Sequence, residues 1–270
     1  MSLLDIAKKA ANSARSLVLD NLENAAELTG GENPFGDATL LLDKQAEDRI
    51  IEVLRDSKFD FTILTEEVGE IDISENPEYV AIIDPIDGST NLSSGIPLCA
   101  VGIGIAPFDN DLTTSDVEIS VISSIFHEEE YVAVVDEGAK LNGKPIRPSS
   151  KNLPDRVIIS YDTKKALISD FGPASLGALQ QVYDMRRTGA NLLDLCWTAA
   201  GKLEAMVDMR NILPVVHVSG THMVLEAGGV VIDEFGDSFE IPLDLDHRMS
   251  FIAANTMDLA DTILRGFRLE

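Results

Sequence analysis

The stretch that most constrains this chain is residues 82–91, which read I-I-D-P-I-D-G-S-T-N. The two isoleucines are typical of the end of a buried strand. Asp84 and Asp87 follow, and their carboxylates converge on one cation only if the backbone bends between them. Pro85 favours such a bend because its ring fixes φ. The carbonyl oxygen of Ile86 lies between the two acids and is a third candidate ligand. The segment therefore predicts a strand end that presents oxygen ligands to a divalent cation.

The same segment continues into a turn that predicts an anion site. After Gly88, the hydroxyl residues Ser89 and Thr90 stand where the chain can turn into a helix. The first amide groups of a helix have no partner within the helix, and they attract anions. Metal ligands beside an anion site indicate phosphate chemistry. The pattern D-P-x-D-G is also ordinary turn chemistry, so the metal site needs support from elsewhere in the chain.

A second acidic strand end gives that support. Residues 61–67 read F-T-I-L-T-E-E, an apolar run that ends in Glu66 and Glu67. Two strand ends that present acids at the same edge of a sheet form a cation site. Ligands that are all oxygen suit Mg²⁺, with Mn²⁺ as an alternative. The sequence therefore predicts that carboxylates from both segments meet around one divalent ion.

These segments resemble the inositol monophosphatase family, which belongs to the lithium-sensitive, Mg²⁺-dependent phosphatases together with the fructose-1,6-bisphosphatases. The matching blocks are Glu66-Glu67, residues 84–91 and the E-A-G-G of residues 226–229, and the resemblance covers nearly the whole chain. It implies a layered helix–sheet–helix–sheet–helix sandwich, the sugar-phosphatase fold, and commonly a homodimer. The implied activity is Mg²⁺-dependent hydrolysis of a small phosphate ester, with inositol monophosphate, fructose 1,6-bisphosphate or a 3′-phosphonucleotide as candidate substrates.

The resemblance also implies a role for each matching residue. Asp43 and Ser89 would orient and deprotonate the attacking water, while Glu67 would support the metal ligands. From the residues alone, Asp43 reads equally well as the N-cap of a helix predicted over residues 43–56. The implied metal ligands are Glu66, Asp84, the Ile86 carbonyl and Asp87. The implied substrate contacts are Gly88, Ser89, Thr90 and Asp208.

One expected carboxylate is missing from this chain. In the family, an Asp near the start of the helix that ends in E-A-G-G binds a second metal. Counting back from Glu226 without a gap places Val216 there, and a shift of one residue places His217 there. Valine binds no metal, whereas a neutral imidazole is a poor Mg²⁺ ligand that suits softer ions. The residue types alone favour a packed core role for His217. An active phosphatase and a catalytically weakened binding or regulatory protein therefore both stay open.

The charge of the chain bears on its partners. Its 46 acidic and 21 basic residues give a formal net charge of −25. This charge disfavours binding to nucleic acid, which needs a basic face. It would also repel a phosphate ester unless a bound cation reversed the local field. Because the sequence has no apolar run long enough to span a membrane and no signal-peptide pattern, it predicts a cytoplasmic protein without membrane contact.

The order of predicted elements indicates an α+β protein. A helix predicted over residues 2–29 precedes a strand-rich first half, and helices and strands alternate in the second half. Residues 145–154, rich in Pro, Ser and Lys, predict a boundary between an N-terminal domain at 1–148 and a C-terminal domain at 149–270. Residues 30–36 read as a loop that is a candidate lid, and residues 138–143 read as a hairpin turn. Cys99 and Cys196 are predicted to be buried thiols.

Overall fold

A computed structural model describes residues 1–34, 38–163 and 171–268. The described residues form seven α-helices: α1 (Leu3–Asp20), α2 (Leu41–Arg55), α3 (Ser89–Ser93), α4 (Phe171–Leu179), α5 (Asn191–Ala199), α6 (Val218–Glu226) and α7 (Met257–Phe267). They form ten strands in the first half: β1 (Leu28–Glu32), β2 (Ala38–Leu40), β3 (Phe61–Thr65), β4 (Gly69–Asp72), β5 (Tyr79–Asp87), β6 (Ala100–Pro107), β7 (Ile119–Ser124), β8 (Glu130–Val134), β9 (Gly138–Leu141) and β10 (Lys144–Pro145). The second half contributes β11 (Ile158–Tyr161), β12 (Asp184–Arg186), β13 (Ala205–Pro214), β14 (Val230–Ile232) and β15 (Arg248–Ala254).

Two sheets organise these strands. The larger sheet has the order β10-β9-β8-β7-β6-β5-β3-β4, and β5 lies parallel to β3 and antiparallel to β6. The smaller sheet has the order β12-β11-β13-β15-β14. Strands β1 and β2 form a separate antiparallel pair ahead of α2. Nearly every residue of β5 is buried, as expected of a central strand that is covered on both faces.

The helices form the layers that separate and cover the sheets. Helices α1 and α2 pack on one face of the larger sheet, and α5 and α6 lie between the two sheets. Helix α7, with α4 against it, covers the other face of the smaller sheet. Alternate residues of β15 divide accordingly: Phe251 packs with α5 and α6, and Ile252 packs with α7. This arrangement confirms the predicted α+β helix–sheet–helix–sheet–helix sandwich.

The first helix is shorter than predicted. Helix α1 ends at Asp20, because the side-chain amide of Asn21 donates to the Leu17 carbonyl at 2.7 Å and caps the last turn. The chain then forms β1 where the helix had been predicted to continue. Strand β1 also takes the first part of the candidate lid at residues 30–36, of which residues 35 and 36 lie outside the described part of the chain.

Two other predicted boundaries were wrong. Helix α2 begins at Leu41, so Asp43 lies inside its first turn and is not the N-cap. Residues Gly138–Leu141 form β9, and the turn that follows is confined to Asn142 and Gly143, both at positive φ. Both cysteines are free and buried, as predicted.

The last strand of the larger sheet ends at Pro145, and the smaller sheet begins at Ile158. Because α5 and α6 contact strands of both sheets, the two halves share one core layer. The division into domains 1–148 and 149–270 stays a prediction. Among the described residues, no helix has the length and apolar content needed to span a membrane.

Candidate metal centre

The register between β3 and β5 brings the two acidic segments together. These strands are parallel, and Thr65 pairs with Ile83. The next residues along the two strands are Glu66 and Asp84, so their side chains emerge at the same edge of the sheet. The two carboxyl groups are close enough for each to shift the pKa of the other. This is the meeting of strand ends that the sequence predicted.

A bulge in β5 places Asp84 and Asp87 on the same face. In a regular strand, residues three apart point to opposite faces. Against β6, however, Asp84 pairs with Gly102 and Asp87 pairs with Ala100, so three residues of β5 oppose two residues of its neighbour. The extra residue restores the alternation, and Pro85 suits this position because it has no N–H to give to the ladder. The strand had been predicted to end at Asp84, but it continues through this bulge to Asp87.

The start of α6 adds a histidine to the two aspartates. The Nε2 atom of His217 lies 3.3 Å from Asp84 Oδ2 and 3.7 Å from Asp87 Oδ1. One ligand atom from each of the three buried residues lies within 4.8 Å of the others. Val216 is fully buried in an apolar cluster with Val80 and Ile82. The structure therefore decides between the two positions that the sequence left open, and His217 faces the site.

The surroundings of Asp84 fit a divalent cation. Its side chain is fully buried, and neither carboxylate oxygen accepts a hydrogen bond from the described residues. Burial, followed by the charges of Glu66 and Asp87, holds the pKa of Asp84 well above its usual value. A buried carboxylate that accepts no hydrogen bond is costly unless a cation neutralises it. The residues present therefore fit a metal ion that binds to oxygen.

Asp43 and Ser89 lie beside the carboxylates. Burial, followed by the charges of Glu67 and Glu66, holds the pKa of Asp43 well above its usual value, and hydrogen bonding to Ser89 opposes that rise. The Ser89 hydroxyl lies 2.8 Å from the Ile86 carbonyl, to which it donates. Because a hydroxyl carries a single hydrogen, Ser89 can donate to Asp43 or to the carbonyl, but not to both at once. The structure thus brings Asp43 and Ser89 together at the predicted metal site.

The sequence profile of the inositol monophosphatase family matches residues 1–268. The chain belongs to the inositol monophosphatase family. A Methanocaldococcus jannaschii relative named fructose-1,6-bisphosphatase/inositol-1-monophosphatase is 33% identical over 236 residues, which cover 87% of this chain and 86% of the relative. A Haemophilus influenzae relative named Nus factor SuhB is 32% identical over 243 residues, which cover 88% and 87% of the two chains.

Solved structures support the same assignment. A crystal structure described as an inositol monophosphatase–fructose 1,6-bisphosphatase is 30% identical, with a TM-score of 0.83 over 98% of this chain and 100% of that chain. The extragenic suppressor protein SuhB from Bartonella henselae is 26% identical, with a TM-score of 0.84 over 99% of each chain. The family assignment also confirms the predicted enzyme class, a phosphoric monoester hydrolase.

Glu47 is a residue of this inositol monophosphatase fold that the sequence interpretation missed. Its buried Oε1 accepts hydrogen bonds from the Thr65 hydroxyl at 2.7 Å and from the Glu67 and Val68 amides at 3.3 and 3.1 Å. These bonds fix the turn that carries Glu66. The sequence held one signal, since Glu47 lies one helical turn after Asp43 and shares its face.

Asp87 joins the candidate site to a helix. Its Oδ1 and Oδ2 atoms accept hydrogen bonds from the first amides of α5, those of Asn191 at 3.0 Å and Leu192 at 2.7 Å. The carboxylate therefore caps α5 and faces His217 at the same time. The sequence predicted the metal role of Asp87 but not this second role, because its helical partner lies 104 residues away.

Asp208 lies away from this cluster of ligands. It is fully buried within β13, where its Oδ1 accepts from the Nε atom of Arg210 at 2.8 Å. The same guanidinium contacts Asp162 at 2.9 Å. β13 runs from Ala205 to Pro214 and encloses Asp208 in the sheet. Substrate contact by Asp208 stays a prediction, whereas its ion pair gives it a structural role.

Gly88 directly follows β5 and has a backbone conformation that only glycine adopts easily. Its φ is +90°, and an added Cβ would lie 2.7 Å from the Leu98 carbonyl oxygen. We expect Gly88→Ala to destabilise the fold by about 2–4 kcal/mol, from the strained φ and the clash together. Gly95→Ala is the control, because Gly95 has φ +72° but nothing within 4 Å of an added Cβ. Equal losses in urea unfolding for the two variants would show that the close contact does not matter.

The carboxyl of Glu66 predicts a link between metal binding and pH. Burial, opposed by the charge of His217 and aided by that of Glu67, raises the pKa of Glu66 from 4.5 to about 7. Because a metal needs ionised carboxylates, and the pKa of Asp84 is raised as well, we expect the affinity for Mn²⁺ to fall at least about tenfold per pH unit below 7. Calorimetric titrations at pH 5.5, 6.5 and 7.5 measure this slope, and an affinity independent of pH would contradict it.

The same shift sets the stability of the metal-free protein. A carboxyl whose pKa is raised by folding stabilises the fold in its protonated form. For Glu66 this contribution is fully present below pH 4.5 and is lost as the pH rises through about 7. We therefore expect that adding Mn²⁺ to the EDTA-treated protein raises its melting temperature, and that this increase becomes larger as the pH rises from 4.5 to about 7. A gain that stays constant with pH would be inconsistent with a buried, protonated Glu66.

Proposed function

We propose that this protein is a divalent-metal-dependent phosphomonoesterase that hydrolyses a small sugar or inositol phosphate. One observation carries the proposal: Asp84 is buried with both oxygens free of hydrogen bonds from the described residues, grouped with Asp87 and His217 and near Glu66. Such a group of acids attracts a cation. A bound cation reverses the local charge and so lets an anionic phosphate ester approach a protein of charge −25. Family membership and the phosphatase names of several relatives support the same activity.

The metal would be held by Glu66, Asp84, the Ile86 carbonyl and Asp87, with Mg²⁺ or Mn²⁺ as the ion. When bound, a divalent ion neutralises the phosphate and lowers the pKa of a nearby water. The negative charge of the ester would face the first amides of α3, at Ser89 and Thr90, with Gly88 giving the backbone room to turn there.

Asp43 and Ser89 would then act on the attacking water. Ser89 orients the water through its hydroxyl oxygen, and Asp43 accepts the proton. The raised pKa of Asp43 suits a general base, because a stronger base takes a proton more readily. The water oxygen forms a bond to phosphorus as the bond from phosphorus to the substrate oxygen breaks. The departing oxygen takes a proton from a solvent water, and Asp43 then releases its proton to solvent. Glu67, in the turn that Glu47 fixes, would support the ligand at Glu66.

The test is phosphate release from a panel of esters. Inositol 1-phosphate, fructose 1,6-bisphosphate and a 3′-phosphonucleotide would each be offered with Mg²⁺, with Mn²⁺ and after EDTA treatment. We expect release of phosphate from at least one ester, dependent on added metal and lost on EDTA treatment. Absence of release from all three esters with either ion would reject the proposal. A homodimer and a cytoplasmic location follow from the resemblance and the sequence, and they stay predictions.

A second candidate is a binding or regulatory protein with reduced catalysis. The observation that favours it is His217, which faces the site where the family carries a carboxylate. Several relatives with 31–32% identity are named Nus factor SuhB, a name that does not describe a phosphatase. His217→Asp separates the two candidates, because a steep gain in turnover from near zero would identify the natural protein as impaired. High turnover of the natural protein would exclude this candidate.

A further inference from the structure

We propose that the imidazole of His217 is itself a metal ligand, so that this chain holds a mixed nitrogen–oxygen site selective for a transition-metal ion over Mg²⁺. The inference rests on the proposed function, since it names the class of cation that the same site takes. It differs from that function in its test, which reads the atoms bound to the metal.

The spacing of the three side chains is that of ligands around one ion. The Nε2 atom of His217 is 3.3 Å from an oxygen of Asp84 and 3.7 Å from an oxygen of Asp87. Ligand atoms that each lie about 2.1 Å from a common ion are separated by roughly 3–4 Å. All three residues are buried, and the two oxygens of Asp84 have no hydrogen-bond partner in the described part of the chain. A cation between these atoms would satisfy them together.

The other ring nitrogen fixes the direction of the imidazole. The Nδ1 atom of His217 lies 3.1 Å from the Pro214 carbonyl oxygen. A carbonyl only accepts hydrogen bonds, so Nδ1 carries the hydrogen and donates it. In the neutral ring, the lone pair then resides on Nε2 and points toward Asp84 and Asp87. Metal-binding histidines are usually held by this kind of bond from the second nitrogen to a backbone carbonyl or a carboxylate.

His222, which lies within α6, has surroundings that contrast with those of His217. The Nδ1 atom of His222 lies 2.8 Å from the Ser120 hydroxyl, and burial lowers the pKa of His222 to about 4. His222 faces a neutral hydroxyl, which marks it as a packed core residue. His217 therefore differs from His222 in facing two carboxylates, and only His217 has the surroundings of a ligand.

A nitrogen ligand changes which ion the site prefers. Mg²⁺ favours oxygen ligands and gives up its water reluctantly, whereas imidazole suits transition-metal ions such as Zn²⁺ and binds Mn²⁺ more readily than Mg²⁺. With His217 in place of a third carboxylate, the site also carries one negative charge fewer. We therefore expect the ratio of Mn²⁺ affinity to Mg²⁺ affinity to fall at least about tenfold in His217→Asp.

Pulsed electron paramagnetic resonance of the Mn²⁺-loaded full-length protein tests the inference directly. A histidine nitrogen bound to Mn²⁺ modulates the spin echo, and labelling histidine with ¹⁵N changes that modulation in a predictable way. We expect this signal in the natural protein, its loss in His217→Asp, and its retention in His247→Gln, where the replaced histidine is exposed and pairs with Asp244. The isotope experiment needs no variant, so a failure of His217→Asp to fold would not block the test.

The outcomes separate this inference from the proposed function. Bound Mn²⁺ without a histidine nitrogen signal would overturn the inference, and it would place His217 as an imidazolium paired with Asp84 and Asp87. If phosphate release persisted in that case, the proposed function would stand alone. A nitrogen signal without phosphate release from any ester would support the inference and overturn the function. Failure of Mn²⁺ to bind at all would overturn both.

Discussion

Asp84→Asn is expected to lower kcat/KM for the best phosphate ester by about 10³-fold and to abolish the rise in melting temperature on adding Mn²⁺. Asp84 lies between Glu66, which follows β3, and the group formed by Asp87 and His217, so its loss affects every predicted ligand. Loss of one such charge from a catalytic site commonly costs about 10²–10³ in rate, and loss of the cation adds to that.

The stability of the same variant distinguishes a metal ligand from a residue that only supports the fold. In EDTA, Asp84→Asn should be at least as stable as the natural protein, because it removes one of several buried like charges. Asp109→Asn, in the exposed loop after β6, is the matched control and should leave activity and metal response unchanged. A variant that is inactive because it unfolds in EDTA would contradict the metal role.

Asp43→Asn is expected to lower kcat by about 10²–10⁴-fold while metal affinity changes only a few-fold. The reason is that Asp43 is the candidate general base and contributes no proposed metal ligand. Calorimetry with Mn²⁺ and initial rates on the same preparation measure the two quantities separately. A parallel loss of metal affinity and rate would instead assign Asp43 to holding the metal.

Ser89 supplies the matched pair of variants for that role. Ser89→Thr keeps the hydroxyl that lies near Asp43 and Ile86, so its rate should stay within a few-fold of the natural protein. Ser89→Ala removes the hydroxyl, and its rate should fall toward that of Asp43→Asn. Because the two residues act on one water, Asp43→Asn combined with Ser89→Ala should lose little more than either single change. Fully additive losses would contradict a shared role.

Much of the site could be predicted from sequence because its parts are local. Residues 82–91 carry a strand, two acids, a proline and a glycine in ten positions, and each residue type limits the backbone there. The bend that Pro85 favours exists as a bulge in β5. The approach of Glu66 to Asp84 was also predicted, because each follows an apolar run that reads as a strand.

The parts that could not be predicted depend on partners far away in the chain. Asp87 caps a helix that begins 104 residues later, and nothing near Asp87 indicates it. The choice between Val216 and His217 needed the short 3₁₀-helix Val215–His217, in which Val216 packs into an apolar cluster and His217 faces Asp84. Asp208 was predicted to contact substrate from the resemblance alone, and only the structure shows that it lies within β13 in an ion pair with Arg210.

Anomalous diffraction from crystals grown with Mn²⁺ tests most directly whether Glu66, Asp84 and Asp87 hold a divalent ion. We expect an anomalous peak within bonding distance of a carboxylate oxygen from Asp84 and from at least one of the other two acids. The peak should disappear in Asp84→Asn crystals grown under the same conditions. Crystals of the natural protein that contain Mn²⁺ elsewhere, with no peak at Asp84, would contradict it.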